Sequence, residues 1–539
     1  MVWSGVPEAA PPPRRGGGGV RRALAVVAVL AVAIGLGFAL SGTLRDRGVL
    51  GGGTPSGRAT PTTPLPVPSG AEDLATFYSQ TLSWQKCTGG ECATLTVPLD
   101  YAAPTGKTIA IALLRVPARS GSARGSIVVN PGGPGGSGVD FAKLANTIVG
   151  RSVRDDFDIV GFDPRGVARS APIRCLDDAE MDTYLGGEPT PDTPAEEQAF
   201  IDSARAFGRA CAQRNPDVIG HVSTVEVAKD MDVLRAALRE EKLSYLGMSY
   251  GTLLGATYAG LFPTRVGRMV LDGVVAPDLT SAEVAKGQAV GFDRATRAYV
   301  ESCVSGGGCP LGDSVDAALT AIPDFLARVD ATPLPVSGDP RVKELTEGWA
   351  SMGIAVAMYD QTSWPMLTQA FKSALRGDGT ALQRLANYYA DRSTSGTYSG
   401  NMLQAISAVN CLDQSDTADL AAIHAHAEEY TAAAPVWGRF LAWGEAICGV
   451  WPVPATSKPA PVHAPGSAPI VVVGTTRDPA TIYEWAVQLR KELDNAVLLT
   501  FEGDGHTAYQ RGSSCINSGI DDYFVDGTVP KDGLRCTPD

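Results

Sequence analysis

One serine, set between two glycines where a short apolar run meets a longer one, constrains this chain more than any other feature. The segment reads Leu243-Ser-Tyr-Leu-Gly247-Met248-Ser249-Tyr250-Gly251, a G-x-S-x-G pattern. Leu243–Gly247 predicts a strand, and Ser249–Phe262, apolar nearly all round, predicts a buried helix. A serine at such a junction sits on a sharp, strained strand-to-helix turn. Its hydroxyl then projects above the sheet, and the flanking glycines relieve crowding. The helix N-terminus beneath it favours developing negative charge. The pattern alone arises by chance in a glycine-rich chain, so the strand before it and the helix after it carry the reading.

The surrounding segments agree. Ile109–Val116, Ser126–Asn130, Phe157–Phe162, Met269–Leu271, Ala468–Val473 and Ala496–Phe501 are β-rich or short apolar runs, and residues 224–238 have helical spacing. Short apolar strands alternating with helices predict a mostly parallel sheet covered on both faces. The alternation stops between about 278 and 460, where 281–302, 315–329, 348–376 and 400–409 read as helices. The expected fold is α/β, of the α/β-hydrolase type, with an inserted helical cap. Residues 71–277 form the first part of its core, 278–460 the cap, and 461–539 the second part.

The N-terminus reads differently. Arg14, Arg15, Arg21 and Arg22 precede an apolar run from Ala23 to Leu40. That run is long for a signal-peptide core and near the lower limit for a membrane span. The basic flank predicts a cytoplasmic N-terminus and an exported body. Residues 1–42 are therefore a signal or anchor segment, either retained through residues 23–40 or cleaved near Ala39 to Gly42. Residues 43–70 are rich in Gly, Pro, Thr and Ser and read as a flexible linker. The formal net charge of −13 argues against a nucleic-acid partner. Membrane contact is expected through the N-terminal segment alone.

Ten cysteines follow the linker. An even number in an exported chain predicts disulfides. They fall into local couples, and sequential pairing is the simplest arrangement: Cys87 with Cys92, Cys175 with Cys211, Cys303 with Cys309, Cys411 with Cys448, and Cys515 with Cys536. No couple has C-x-x-C spacing, so no metal is expected there.

Two further motifs supply chemistry. Asn130-Pro-Gly-Gly133-Pro-Gly-Gly-Ser-Gly138 follows a strand. A serine hydrolase needs two backbone N–H groups aimed at the oxyanion, one from the residue after the nucleophile and one from an early loop. Tyr250 and Gly133 are the candidates. Glu502-Gly-Asp-Gly-His506-Thr507 follows the last apolar run. His506 is the candidate base among five histidines. His424 and His426 lie in the helical block, His463 in a proline-rich stretch, and His221 before a helix. Asp478, after the run Ile470–Val473, is the candidate acid, because this fold orders its triad Ser, Asp, His along the chain. Asp272 is the main competitor, and Asp504 lies too near His506 in sequence.

With these motifs in view, the chain resembles the secreted tripeptidyl aminopeptidases of actinobacteria, α/β-hydrolases related to prolyl aminopeptidases. The resemblance rests on Cys-Ala-Thr-Leu-Thr-Val-Pro-Leu-Asp-Tyr at 92–101, Asn-Pro-Gly-Gly-Pro-Gly at 130–135, Gly-Phe-Asp-Pro-Arg-Gly at 161–166 and Gly-Met-Ser-Tyr-Gly-Thr at 247–252. It continues through Phe-Pro-Thr-Arg-Val at 262–266, Val-Leu-Asp-Gly-Val at 270–274 and the ending with Gly-Asp-Gly-His and Cys536. It implies an extracytoplasmic exopeptidase that needs no cofactor and releases short peptides from peptides or proteins with a free N-terminus. A secreted carboxylesterase or lipase would use the same machinery, and a non-catalytic binding protein on a hydrolase scaffold is the third reading. An aminopeptidase also needs a carboxylate for the substrate's ammonium. Glu301, Glu347 and Glu445 are available in the helical block, and the sequence does not single one out.

Overall fold

The computed structural model describes Leu65, Val67 and residues 72–539. The expected anchor and nearly all of the expected linker lie outside the described residues. Among the described residues, no helix is long and apolar enough to cross a membrane.

The described residues form twelve strands: β1 (Gln85–Cys87), β2 (Gly90–Pro98), β3 (Thr108–Val116), β4 (Gly125–Asn130), β5 (Phe157–Phe162), β6 (Leu243–Met248), β7 (Val266–Asp272), β8 (Leu334–Pro335), β9 (Glu344–Leu345), β10 (Ile470–Arg477), β11 (Ala496–Asp504) and β12 (Leu534–Cys536). Ten of them form one sheet in the order β1-β2-β3-β5-β4-β6-β7-β10-β11-β12. From β5 to β12 every neighbouring pair is parallel. The first three strands join antiparallel. This antiparallel edge was not read from the sequence, although the Thr94-Leu95-Thr96-Val97 alternation carries its signal. The central strands are continuously buried because helices cover both faces, and one apolar core fills each side of the sheet. This is the α/β-hydrolase architecture.

Between β7 and β10 the chain is almost entirely helical. It forms helices Ser281–Ser305, Val315–Ala331, Glu347–Met358, Trp364–Ala374, Thr380–Tyr389, Met402–Asp413, Leu420–Ala433 and Gly438–Gly444; the first five surround a core of their own, while Met402–Asp413 packs into the core beside the sheet through Ala408, Val409 and Leu412. The single helix expected at 348–376 is two. Asp360 turns the chain between them, accepting the Thr362 N–H at 2.8 Å, and Pro365 starts the second helix. Thr380–Tyr389, Leu420–Ala433 and Gly438–Gly444 were not named from the sequence.

Five disulfides join the cysteines in sequential order, Cys87–Cys92, Cys175–Cys211, Cys303–Cys309, Cys411–Cys448 and Cys515–Cys536. All ten cysteines are used.

The Gly-Phe-Asp-Pro-Arg-Gly motif after β5 ties these layers together. The Asp163 carboxylate accepts the Val139 N–H at 3.2 Å and the Ser137 hydroxyl, which fixes the glycine-rich loop after β4. Arg165 is fully buried. It grips Asp230 with two bonds of 2.7 Å and donates to the carbonyls of Pro98, Leu99 and His221. A buried pair of this kind costs little only while both partners are present. Replacing Arg165 with Met leaves the Asp230 charge buried against a single Tyr101 hydroxyl. The expected loss is about 3–5 kcal/mol. Urea denaturation of wild type and Arg165→Met measures it, and an unchanged midpoint contradicts this account of the motif.

Candidate active site

Ser249 follows β6 and precedes the helix Tyr250–Leu261, with φ 57° and ψ −129°. Positive φ is costly for a residue with a Cβ, and such strain persists only where the surroundings impose it. They do so here. The Ser249 N–H donates to the Asp272 carbonyl at 2.9 Å, at the end of the neighbouring strand β7. The glycine-rich loop presses from the other side. A methyl placed on Gly132 would lie 2.8 Å from Ser249 Cβ and 2.9 Å from the Tyr250 nitrogen, so only glycine fits. The N–H groups of Gly133 and Tyr250 donate to no acceptor among the described residues. The loop is thus packed through Gly132 against the Ser249 side chain.

His506 lies in the loop after β11, and its ring meets Asp478 in the loop after β10. Nδ1 stands 2.9 Å from Oδ1 and 3.0 Å from Oδ2. Both side chains are buried. Asp478 also accepts the N–H groups of Ala480, Thr481 and Thr507 at 3.0, 2.9 and 3.1 Å, and the Thr481 hydroxyl at 3.0 Å. Five donors thus converge on one carboxylate, which fixes its orientation. That carboxylate accepts the Nδ1 proton and leaves Nε2 as the ring's basic nitrogen. The Thr481 hydroxyl, 3.3 Å from His506 Nδ1, was not picked out from the sequence.

Asp272, the competing acid, does something else. Its carboxylate accepts the Ala508 N–H at 3.0 Å and the Tyr509 N–H at 2.8 Å, and does not bond the His506 ring. One residue thereby ties the serine turn, through its carbonyl, to the histidine loop, through its carboxylate. A methyl on the next residue, Gly273, would lie 3.3 Å from His506 Cε1. Asp504 pairs instead with Arg477.

The helical block completes the surroundings. The Tyr359 carbonyl accepts the His506 N–H at 2.9 Å, and the Tyr359 ring stands edge-on to the imidazole with centroids 5.4 Å apart. Arg511 holds the His506 carbonyl at 2.9 Å and Asp360 at 2.9 Å. Asn401 bonds the carbonyls of Gly166 and Ile173, both at 2.8 Å. Gly135 packs on Met402 and Ala405, and Gly291 packs on the Asp478 and Pro479 carbonyls. The block therefore touches the loops after β4, β5, β10 and β11, all at the C-terminal edge of the sheet.

Residues 434–536, which include Asp478 and His506, match the family described as TAP-like protein. Serine protease Hip1 of Mycobacterium tuberculosis is 40% identical over 460 residues, covering 83% of this chain and 87% of that protein. Carboxylesterase B of the same species is 37% identical over 464 residues, covering 83% and 86%. Tripeptidyl aminopeptidase of Streptomyces lividans is 32% identical over 474 residues, covering 85% and 87%. The chain belongs to this family of tripeptidyl aminopeptidase-like serine hydrolases.

The three glutamates considered for the amine lie in other surroundings in this TAP-like hydrolase. Glu301 is exposed. Glu347 accepts the Thr190 hydroxyl at 3.0 Å within a cluster that includes Glu188 and Asp330. Glu445 is bonded by His426 at 2.8 Å and by Tyr430 at 2.7 Å. None of these contacts involves Ser249, His506 or the glycine-rich loop. The other histidines are also engaged elsewhere, His221 with Glu226, His424 with Glu197 and His463 with the Glu492 carbonyl. Among the described residues, two groups have the spacing to hold a cation. One, Asp100, His221 and Glu226, faces the Arg165 guanidinium, which opposes a second positive charge. The other brings the carboxyls of Glu188, Asp330 and Glu347 together. Burial, followed by its carboxylate neighbour Glu347, pushes Glu188 up to about 7.

Several carboxyls of this hydrolase are harder to ionise in the fold than in the free chain. Burial pushes Asp272 from 3.8 up to about 6 and Asp413 up to about 7. The folded state therefore binds these protons more tightly than the unfolded state. Their contribution to stability is fully present below about 3.8 and is lost as pH rises through about 6 to 7. Asp339 acts in the opposite sense. Burial would raise it, but hydrogen bonds from Arg392 and backbone N–H groups hold it near 2, so its contribution is lost only in stronger acid. The melting temperature should rise as the pH is lowered from about 7.5 to about 5.5. Thermal unfolding at fixed ionic strength checks this, and a steady fall over that interval contradicts the assignment.

Proposed function

We propose that this hydrolase is an aminopeptidase that releases tripeptides, or other short peptides, from free N-termini through an acyl-enzyme. The observation that carries the reading is the buried His506–Asp478 pair on a loop tied through Asp272 to the strained Ser249 turn. In this mechanism Ser249 is the nucleophile and His506 the general base. His506 takes the hydroxyl proton as Oγ attacks the scissile carbonyl. Asp478 holds the imidazole tautomer and stabilises the imidazolium. The N–H groups of Tyr250 and Gly133 stabilise the oxyanion. The leaving amine takes its proton from His506, and water then cleaves the ester by the reverse route. No step calls for a metal or an organic cofactor.

The helical block supports an exopeptidase. A cap (residues 278–460 in this reading) over the C-terminal edge of the sheet limits entry to a chain end, and closure over substrate excludes water. Five disulfides support action outside the cytoplasm, where such bonds persist. A residue 23–40 anchor or a cleaved signal would deliver the enzyme there. The relative named carboxylesterase B supports a second reading, an esterase with the same triad.

Ser249→Ala should lower kcat by about a million-fold and abolish labelling by a fluorophosphonate, and His506→Ala should do much the same. Wild-type turnover by purified Ser249→Ala would end the proposal, and a wild type that takes no label would point to a non-catalytic binder. To separate peptidase from esterase, kcat/KM is compared on matched tripeptide amides with free and acetylated N-termini. The free form should be preferred by at least about a hundred-fold, since each 1.4 kcal/mol of lost amine binding is tenfold. Equal values would favour the esterase.

A further inference from the structure

Buried carboxylates in this protein are almost all claimed by named partners. Asp163 holds Ser137, Val139 and Arg169; Asp182 holds Arg341, Arg392 and Tyr398; Asp230 holds Arg165 and Tyr101. Asp391 is different. Its Oδ1 is buried and receives no hydrogen bond among the described residues. Its neighbour Tyr388 likewise has a buried hydroxyl without a partner. Glu492 also has a bare buried oxygen, but its other oxygen accepts the Val462 N–H at 3.2 Å. Leaving a buried carboxylate oxygen unpaired is unfavourable unless something else completes it. Burial, reinforced by the Asp140 charge, pushes the Asp391 carboxyl up to about 7.

The backbone around Asp391 is held in place. The residue follows the helix Thr380–Tyr389 with φ 57°, a conformation that few non-glycine residues adopt. Its carbonyl accepts the Ser399 N–H at 3.0 Å. The next residue, Arg392, is buried and bonds Asp182 at 2.6 Å and Asp339 at 2.9 Å. Such a conformation persists only where the surroundings hold it.

The location of Asp391 points to a role. On one side, the Tyr389 ring lies 6.2 Å from Tyr359, the residue whose ring and carbonyl contact His506. On the other side, a methyl on Gly400 would lie 3.0 Å from Asp391 Oδ2. Two residues further on, Met402 packs against Gly135 of the glycine-rich loop. The bare carboxylate thus sits on the helical block between the histidine loop and the loop that flanks Ser249.

We infer that Asp391 binds the α-ammonium of the substrate, with the Tyr388 hydroxyl as a second acceptor. An ammonium carries three donors and a full charge, which matches a carboxylate oxygen and a hydroxyl that both lack partners. The anchor would also act as a ruler. An extended peptide advances about 3.3–3.6 Å per residue, so the span from Asp391 to Ser249 sets how many residues are released. This inference rests on the aminopeptidase reading above.

The test is the ratio of kcat/KM on a free tripeptide amide to kcat/KM on its acetylated twin. It is measured in wild type, Asp391→Asn and Tyr388→Phe, with hydrolysis of p-nitrophenyl acetate as a reference reaction that has no amine. In Asp391→Asn the ratio should fall at least about thirtyfold toward unity while ester hydrolysis stays within about threefold of wild type, because a charge-assisted bond is lost and the machinery is not. In Tyr388→Phe the ratio should fall several-fold. If wild type prefers the free amine and both variants keep that preference, Asp391 is not the anchor, although the aminopeptidase reading stands. If wild type shows no preference, the aminopeptidase reading fails and the anchor fails with it. If Asp391→Asn loses ester and peptide hydrolysis equally, its role is structural and the inference is overturned. If that variant does not fold, Tyr388→Phe decides by the same ratio.

Discussion

Asp272 is the point on which the arrangement of this site turns. Its carbonyl accepts the Ser249 N–H at 2.9 Å, and its carboxylate accepts the N–H groups that follow His506 at 3.0 and 2.8 Å. The strained serine turn and the histidine loop come from distant parts of the chain, yet a single residue sets their separation. Backbone donors hold this charge in a fully buried place, where ionisation is unfavourable enough to raise its pKa to about 6. The fold accepts that cost because the alternative, two buried N–H groups without an acceptor, is also unfavourable. Asp478 meets the imidazole instead, held by the N–H groups of Ala480, Thr481 and Thr507 and the Thr481 hydroxyl.

The same reliance on saturated buried charge recurs further out. Arg165 satisfies Asp230 and three carbonyls where the first strands meet the helices behind them. Arg392 satisfies Asp182 and Asp339 beneath the turn that carries Asp391. These pairs add specificity rather than net stability, since each admits one geometry. The helical block is held over the sheet through such polar contacts as well as through its own core. That combination seats the block against the loops around Ser249, and Ala408, Val409 and Leu412 of the helix Met402–Asp413 also join the apolar layer below.

Features written in local chemistry could be read before any coordinates. The serine turn, the glycine-rich loop and the histidine loop each need particular residues at fixed spacing, so their segments stood out. The pairing of Asp478 with His506 was reachable through chain order and the position of Asp478 after an apolar strand. What stayed hidden depends on long-range geometry. Asp272 looked like a rival acid because its sequence context resembles that of Asp478, and only its partners, Ala508 and Tyr509, show otherwise. Asp391 could not be singled out at all, because its distinguishing property is the absence of a partner. The break at Asp360 was masked by apolar residues on both sides, which kept helical spacing across it. Glu301, Glu347 and Glu445 drew attention as carboxylates in the right block, but sequence cannot say which carboxylates are already neutralised.

Strand order has a consequence for the making of the molecule. β7 and β10 are neighbours in the sheet, yet residues 273–469 are synthesised between them. The serine turn can form as soon as β6, β7 and the following helix emerge. Its imidazole arrives only with the final stretch of chain, after the whole helical block. With Ser249 and His506 in the roles proposed above, a ribosome that stalls anywhere in that block leaves a product with a nucleophile and no base to activate it. Latency during biogenesis is thus built into the topology. The hydrolase acquires its reactivity at nearly the same moment that it acquires the structure restricting what can reach it.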